Sequence, residues 1–116
     1  TMDKQILKGS VDIILLSIIQ KGDTYGFEIL KKLEQVGNED YSMSEGTLYP
    51  ALKRLENKKL IASYWGDSQT GGRRKYYKIT DTGLKKLSKK IEDWEKVNRL
   101  IQLCKGEQTC TNSMSI

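Results

Sequence analysis

The stretch GTLYPALKRLE, residues 46–56, decides how the rest of the chain is read. Leu48, Ala51, Leu52 and Leu55 recur at the spacing that gathers apolar side chains on one face of a helix. The opposite face carries Gly46, Pro50 and Lys53, with Thr47, Tyr49 and Arg54 at its margins. Glycine and proline are the two poorest helix residues, and a merely solvated face gains nothing from holding both. A face that must approach a partner closely does gain. Small residues let the backbone come near, and the free amides of the first turn attract an anion. The hydroxyls of Thr47 and Tyr49 and the cations of Lys53 and Arg54 suit phosphates and base edges. Ser44 is placed to cap this helix, with its side chain expected toward the inward cluster, and Glu45 sits where the helix dipole favours an acid.

The charge distribution singles out the same region. The chain has 116 residues and a formal net charge of +5. Residues 1–43 sum to −2, residues 44–79 to +5 and residues 80–116 to +2. An excess confined to one segment points to a polyanion, nucleic acid first.

Other classes have little to stand on. There is no histidine, which removes the commonest general base and metal ligand and every Ser-His or Cys-His pair. No glycine-rich phosphate loop is present, and the acidic pairs Glu39-Asp40 and Glu92-Asp93 fall in solvated stretches. Neither an enzyme, a metal site nor a cofactor is expected. Two cysteines, Cys104 and Cys110, cannot make a disulfide framework. No apolar run approaches the roughly 18 residues of a membrane span. The mixed-charge N-terminus does not read as a signal peptide, and a cytoplasmic location is expected.

Outward from residue 46, the pattern gives a helix from about Ser10 to Lys21, capped by Gly9 or Ser10. Its residues Val11 to Ile19 are apolar on more than one side, as in a helix buried on two sides. Thr24 is expected to cap a second helix that presents Gly26, Ile29, Leu30, Leu33 and Val36 on one face and stops at Gly37. NEDYSM, residues 38–43, reads as a loop. From Leu60 the period changes to that of strands. LIASYW and RKYYKIT flank GDSQTGG, which predicts a β-hairpin with a long, flexible tip. Its cations Arg73, Arg74 and Lys75 alternate sides, so Arg73 and Lys75 share one face, and this charge, Lys75 included, is expected to track a phosphate backbone or reach into a minor groove. A last helix starts at Thr80 or Asp81 and reaches about Leu103. The expectation is a mainly α fold with a small hairpin: a winged helix-turn-helix over residues 1–79, a dimerisation helix over 80–104, and a disordered tail over 105–116. The third helix would enter the major groove and the hairpin would be the wing.

Leu84, Leu87, Ile91, Trp94, Asn98 and Ile101 alternate three- and four-residue steps, the seam of helices that pack on one another. Val97, Leu100 and Cys104 make a second strip, suited to contacts within the domain.

TYGFEILKKL, SEGTLYPALKRLENKKLI, YWGDSQTGGRRKYYKITDTG and the tryptophan of IEDWEKV together resemble the PadR family of bacterial transcriptional regulators, in particular its short members with one helix after the wing. The resemblance runs from about Val11 to Leu103. It implies a homodimeric repressor whose affinity for a double-stranded operator is altered by a small effector. Carried over by position, DNA contacts fall to Ser44, Thr47, Tyr49, Lys53 and the wing residues Gly71, Gly72, Arg73 and Arg74, with a phosphate contact from Tyr25. The resemblance also implies a central dimer cavity for flat aromatic or drug-like compounds. There Trp94 would stack, Leu87, Ile91, Val97 and Asn98 would line the walls, and Ile13, Leu16 and Ser17 would complete them. Two alternatives stay open: a winged helix used for protein assembly, and a different trigger such as thiol oxidation. No cation adjoins Cys110 and Cys104 is semi-apolar, so neither thiol reads as activated.

Overall fold

The computed structural model describes residues 4–37 and 42–106, with the side chains of residues 4–9 excepted. Residues 38–41 of the expected loop and residues 107–116 of the expected tail, with Cys110, lie outside the described residues. The elements are α1 (Lys4–Ile19), β1 (Thr24–Tyr25), α2 (Gly26–Val36), α3 (Glu45–Asn57), β2 (Ile61–Asp67), β3 (Arg73–Ile79) and α4 (Asp81–Cys104).

The core lies where the first three helices meet the base of the hairpin. Val11, Leu15, Leu16 and Ile19 of α1 close on Ile29 and Leu33 of α2 and on Leu48, Ala51, Leu52 and Leu55 of α3. Leu60, Ile61, Tyr77 and Leu87 complete it from the hairpin and α4. Each fully buried leucine or isoleucine contributes about 1.5–3 kcal/mol. The apolar face predicted for α3 is therefore the one that holds it in place. Ser44 caps α3 as expected, its Oγ accepting from the amide of Thr47 at 3.2 Å, but the side chain is exposed rather than turned inward. The far end closes with Lys59 at φ 63°, where the amides of Lys59 and Leu60 reach back to the carbonyls of Glu56 and Leu55. This left-handed stop, usually a glycine, turns the chain from α3 into β2.

Four expectations are corrected. The first helix begins at Lys4, so Gly9 and Ser10 lie inside it, and it ends at Ile19. KQILK is built of good helix formers, which carry the helix through the glycine. Thr24 does not cap α2. It lies in a two-residue strand, buried, and its hydroxyl donates to Glu28 at 2.5 Å. Strand β1 pairs antiparallel with β3, Thr24 opposite Tyr77 and Tyr25 opposite Tyr76, which gives a three-stranded sheet of order β1-β3-β2. Val36 stands exposed at the end of α2, outside the core face.

Helix α4 is capped by Thr80, whose Oγ1 accepts from the amide of Gly83 at 2.9 Å. The same hydroxyl lies 2.8 Å and 3.0 Å from the carbonyls of Lys59 and Leu60 and ties the helix to the base of the hairpin. Only the first two turns of α4 touch the core, through Gly83 and Leu87.

Candidate nucleic-acid interface

The outward face of α3 is open. Gly46, Thr47, Pro50 and Lys53 are all exposed. A methyl group added at Gly46 would meet only the Oγ of Ser44, at an ordinary 3.7 Å. Packing inside the chain therefore does not ask for a glycine there. Pro50 stands four residues on and lacks the N–H that would pair with the Gly46 carbonyl in a regular helix. The two together leave a bare strip of backbone on the exposed side. Lys53 extends beyond it with no salt bridge among the described residues.

Two expected contacts of this face are occupied within the chain. Tyr49 is 44% exposed, but its ring lies over the start of α2: a methyl at Gly26 would fall 2.3 Å from the Tyr49 hydroxyl. Arg54, read from the sequence as a cation for DNA, instead bonds through Nη2 to Asp12 Oδ1 of α1 at 2.6 Å. A turn of about 100° per residue puts Arg54 at the margin of the face, and the margin turns toward α1.

The tip of the wing is bridged by hydrogen bonds of its own. Gly71 and Gly72 take φ of 87° and 83°, which side chains rarely adopt. Around them the amide of Ser68 donates to the Gly72 carbonyl at 3.0 Å, and its hydroxyl donates to the Gly71 carbonyl at 2.6 Å. The three cations alternate sides as predicted, and their surroundings differ. Arg73, at the tip, is exposed, with its guanidinium 5.5 Å from the Trp65 ring. Arg74 stacks on Tyr25 at 3.9 Å. A guanidinium stacked in this way keeps its in-plane N–H donors free for a phosphate. Lys75, expected to face nucleic acid, is half-buried, 3.9 Å from Glu56 of α3 and 5.7 Å from the Tyr77 ring.

Tyr25 is also the residue before α2 and makes no side-chain capping bond, so the first amides of α2 have no side-chain acceptor from it. Its ring meets Tyr76 edge-on at 5.6 Å, and Tyr76 stacks on Tyr64 at 5.5 Å. Tyr64 donates to Asp23 at 2.5 Å, a bond that raises the phenol above its usual pKa. Arg74, Tyr25, Tyr76 and Tyr64 thus form one ladder on the outer face of the sheet. Tyr64 and Tyr76 were missed by sequence reasoning. The alternation of RKYY puts Tyr76 beside Arg74, but only the strand register, Tyr64 opposite Tyr76, joins the third aromatic. Between the wing and α2 lies a hollow of about 520 Å³, lined by Tyr25, Gly26, Phe27, Tyr49, Arg74, Lys75 and Tyr77. Burial there pushes the Tyr77 phenol above its usual pKa.

The residues expected to hold an effector fall into two groups. Leu16 and Leu87 are buried in the core of the single chain, and Ile13 and Ser17 are half-buried on α1. Ser17 Oγ donates to the Ile13 carbonyl at 2.7 Å. Ile91, Trp94, Val97 and Asn98 are exposed on α4, as are Leu84 and Ile101 of the seam. The second strip does not pack within the domain: Val97, Leu100 and Cys104 are exposed too. Past Leu87 no described side chain of α4 is buried, and only Lys90 and Gln102 are half-buried.

Among the described residues no helix is long and apolar enough to cross a membrane, and no cluster of metal-ligating side chains occurs. The profile of the transcriptional regulator PadR-like family matches residues 15–89. An uncharacterized protein of Lysinibacillus sphaericus is 40% identical over 98 residues, covering 84% of this chain and 90% of that protein. The structure of a transcriptional regulator from Clostridium thermocellum is similar at 40% identity and a TM-score of 0.79, over 88% of this chain and 96% of the other. A PadR-like transcriptional regulator from Bacillus cereus is similar at 37% identity and a TM-score of 0.75, over 86% and 95%.

Proposed function

The chain belongs to the PadR-like family of DNA-binding transcriptional regulators, and from that premise we propose that it is a homodimeric repressor whose hold on its operator is set by a planar aromatic effector. The observation that carries this reading is the uncovered face of α4. Trp94, Val97 and Ile101 are 56%, 55% and 50% exposed on one side of the helix, with Ile91 beside them. Contiguous apolar surface of this kind marks an interaction site. A two-fold axis through α4 covers it with its own copy and brings two Trp94 side chains near one another. Their indole faces offer a slot for a flat aromatic, and stacking adds about 0.5–1.5 kcal/mol per pair beyond burial.

On the DNA side, α3 lies in the major groove with Gly46, Thr47, Pro50 and Lys53 toward the base edges. Arg73 follows the adjacent backbone, and the Tyr25–Arg74 stack meets a phosphate near the start of α2. Paired half-sites would stand about one helical turn, or a multiple of it, apart.

Sedimentation of the wild type and of Ile101→Asp tests the assembly. The wild type should sediment at twice 13.3 kDa, and the variant at the monomer mass with its helical signal intact. A monomeric wild type at micromolar concentration overturns the dimer.

A further inference from the structure

The described acidic groups of α1 reduce to one, Asp12, set within a stretch otherwise given over to the core. Its neighbours Val11, Leu15 and Leu16 are buried, and its own side chain is only 19% exposed. Placing a carboxylate in such surroundings is costly unless a partner compensates it. The compensation comes from 42 positions away: Arg54 of α3, at 2.6 Å. Next to Arg54 stands Lys53, exposed and without a salt bridge among the described residues. Two adjacent cations on one helix therefore face different ways, one toward solvent and one toward α1.

From this we infer that Asp12 and Arg54 form a strut that fixes the roll of α3, so that both act as positioning residues for base reading, with Arg54 itself not a DNA contact. The inference rests on the DNA interface argued above. Roll matters because base reading tolerates little error. A side chain at the helix periphery lies about 5–6 Å from the axis, so a roll of roughly 10° moves it by about 1 Å. The whole range of a good N–H···O hydrogen bond is only about 0.5 Å wide. Contacts to phosphates by long, flexible cations absorb such a shift, whereas contacts from the short residues Gly46 and Thr47 do not. The core leucines of α3 hold the helix against the domain, and the Asp12–Arg54 pair, its side chains 19% and 46% exposed, adds a directed contact to α1 at the edge of that packing.

The test uses the full chain and a duplex enriched from a random pool, with a scrambled duplex for non-specific binding. Affinities are measured across a salt series below the melting temperature of every variant. Asp12→Asn and Arg54→Met should each lower the specific affinity about three- to tenfold. Neither should lower the non-specific affinity comparably, and the salt slope should stay that of the wild type. The double variant should lose no more than the worse single one, because the same strut is removed once. A merely structural defect would reduce both affinities together and would overturn the inference. So would an unchanged Asp12→Asn, or an Arg54→Met whose salt slope flattens by about 0.9, the mark of a lost phosphate contact. If the wild type binds no duplex in a salt-sensitive way, the DNA interface itself falls and the strut falls with it.

Discussion

The ring of Tyr49, on α3, rests on the bare backbone of Gly26, at the start of α2: a methyl at Gly26 would lie 2.3 Å from the Tyr49 hydroxyl. This contact joins the two helices that the proposed interface turns toward DNA and explains a glycine at a helix's first position. The neighbouring ring atoms are 2.7 and 2.8 Å from the same methyl position, so the outer end of the ring would have to swing aside.

Gly26→Ala should therefore destabilise the fold by about 1–3 kcal/mol, the range of an overpacked contact. Chemical denaturation checks it. A double variant Gly26→Ala with Tyr49→Ala should lose less than the two single changes combined, because removing the ring relieves the clash. Additive losses would mean that Tyr49 can swing away freely.

The wing cations should separate by their surroundings. Arg73→Ala removes an exposed tip charge and should weaken binding to all duplexes, flattening the logarithmic salt slope by about 0.9. Lys75→Ala removes a charge that faces Glu56 and Tyr77 inside the domain and should leave the slope unchanged. Equal effects would put Lys75 on the DNA.

Two tryptophans report on different partners. Trp94 is on α4, whereas Trp65 is on β2 beside Arg73 of the wing. In Trp65→Phe a flat aromatic dye should quench the remaining emission of Trp94. Trp94→Ala should barely respond to dye, yet its Trp65 emission should change on adding operator DNA. Dye binding that survives intact in Trp94→Ala would place the effector elsewhere.

Much of this arrangement is legible in the amino-acid order, for identifiable reasons. The bounds of α3 and the hairpin follow from local signals: Ser44 as cap, leucines on a helical period, and β-rich runs around a glycine turn. What lies hidden depends on distant partners. Strand β1 is two residues long, too short for any period, and exists because Tyr76 and Tyr77 offer it an edge. Charge alone assigns Arg54 and Lys75 to DNA, because nothing near them in sequence announces Asp12 or Glu56. The start of α1 is misread for the opposite reason, a local signal too strong: Gly9-Ser10 resembles a cap, but good helix formers on the N-terminal side run through it.

The most direct test of the DNA interface is a single substitution read in two ways, Gly46→Ala. Among the described residues nothing obstructs the added methyl, and alanine in a compatible helical position stabilises by about 0.4–1 kcal/mol over glycine. The same methyl stands where α3 would lie against the major groove. The account predicts that melting temperature rises while affinity for the selected duplex falls about tenfold or more. A more stable protein that binds the duplex as well as the wild type would contradict it, because the bare face of α3 would then be turned toward nothing.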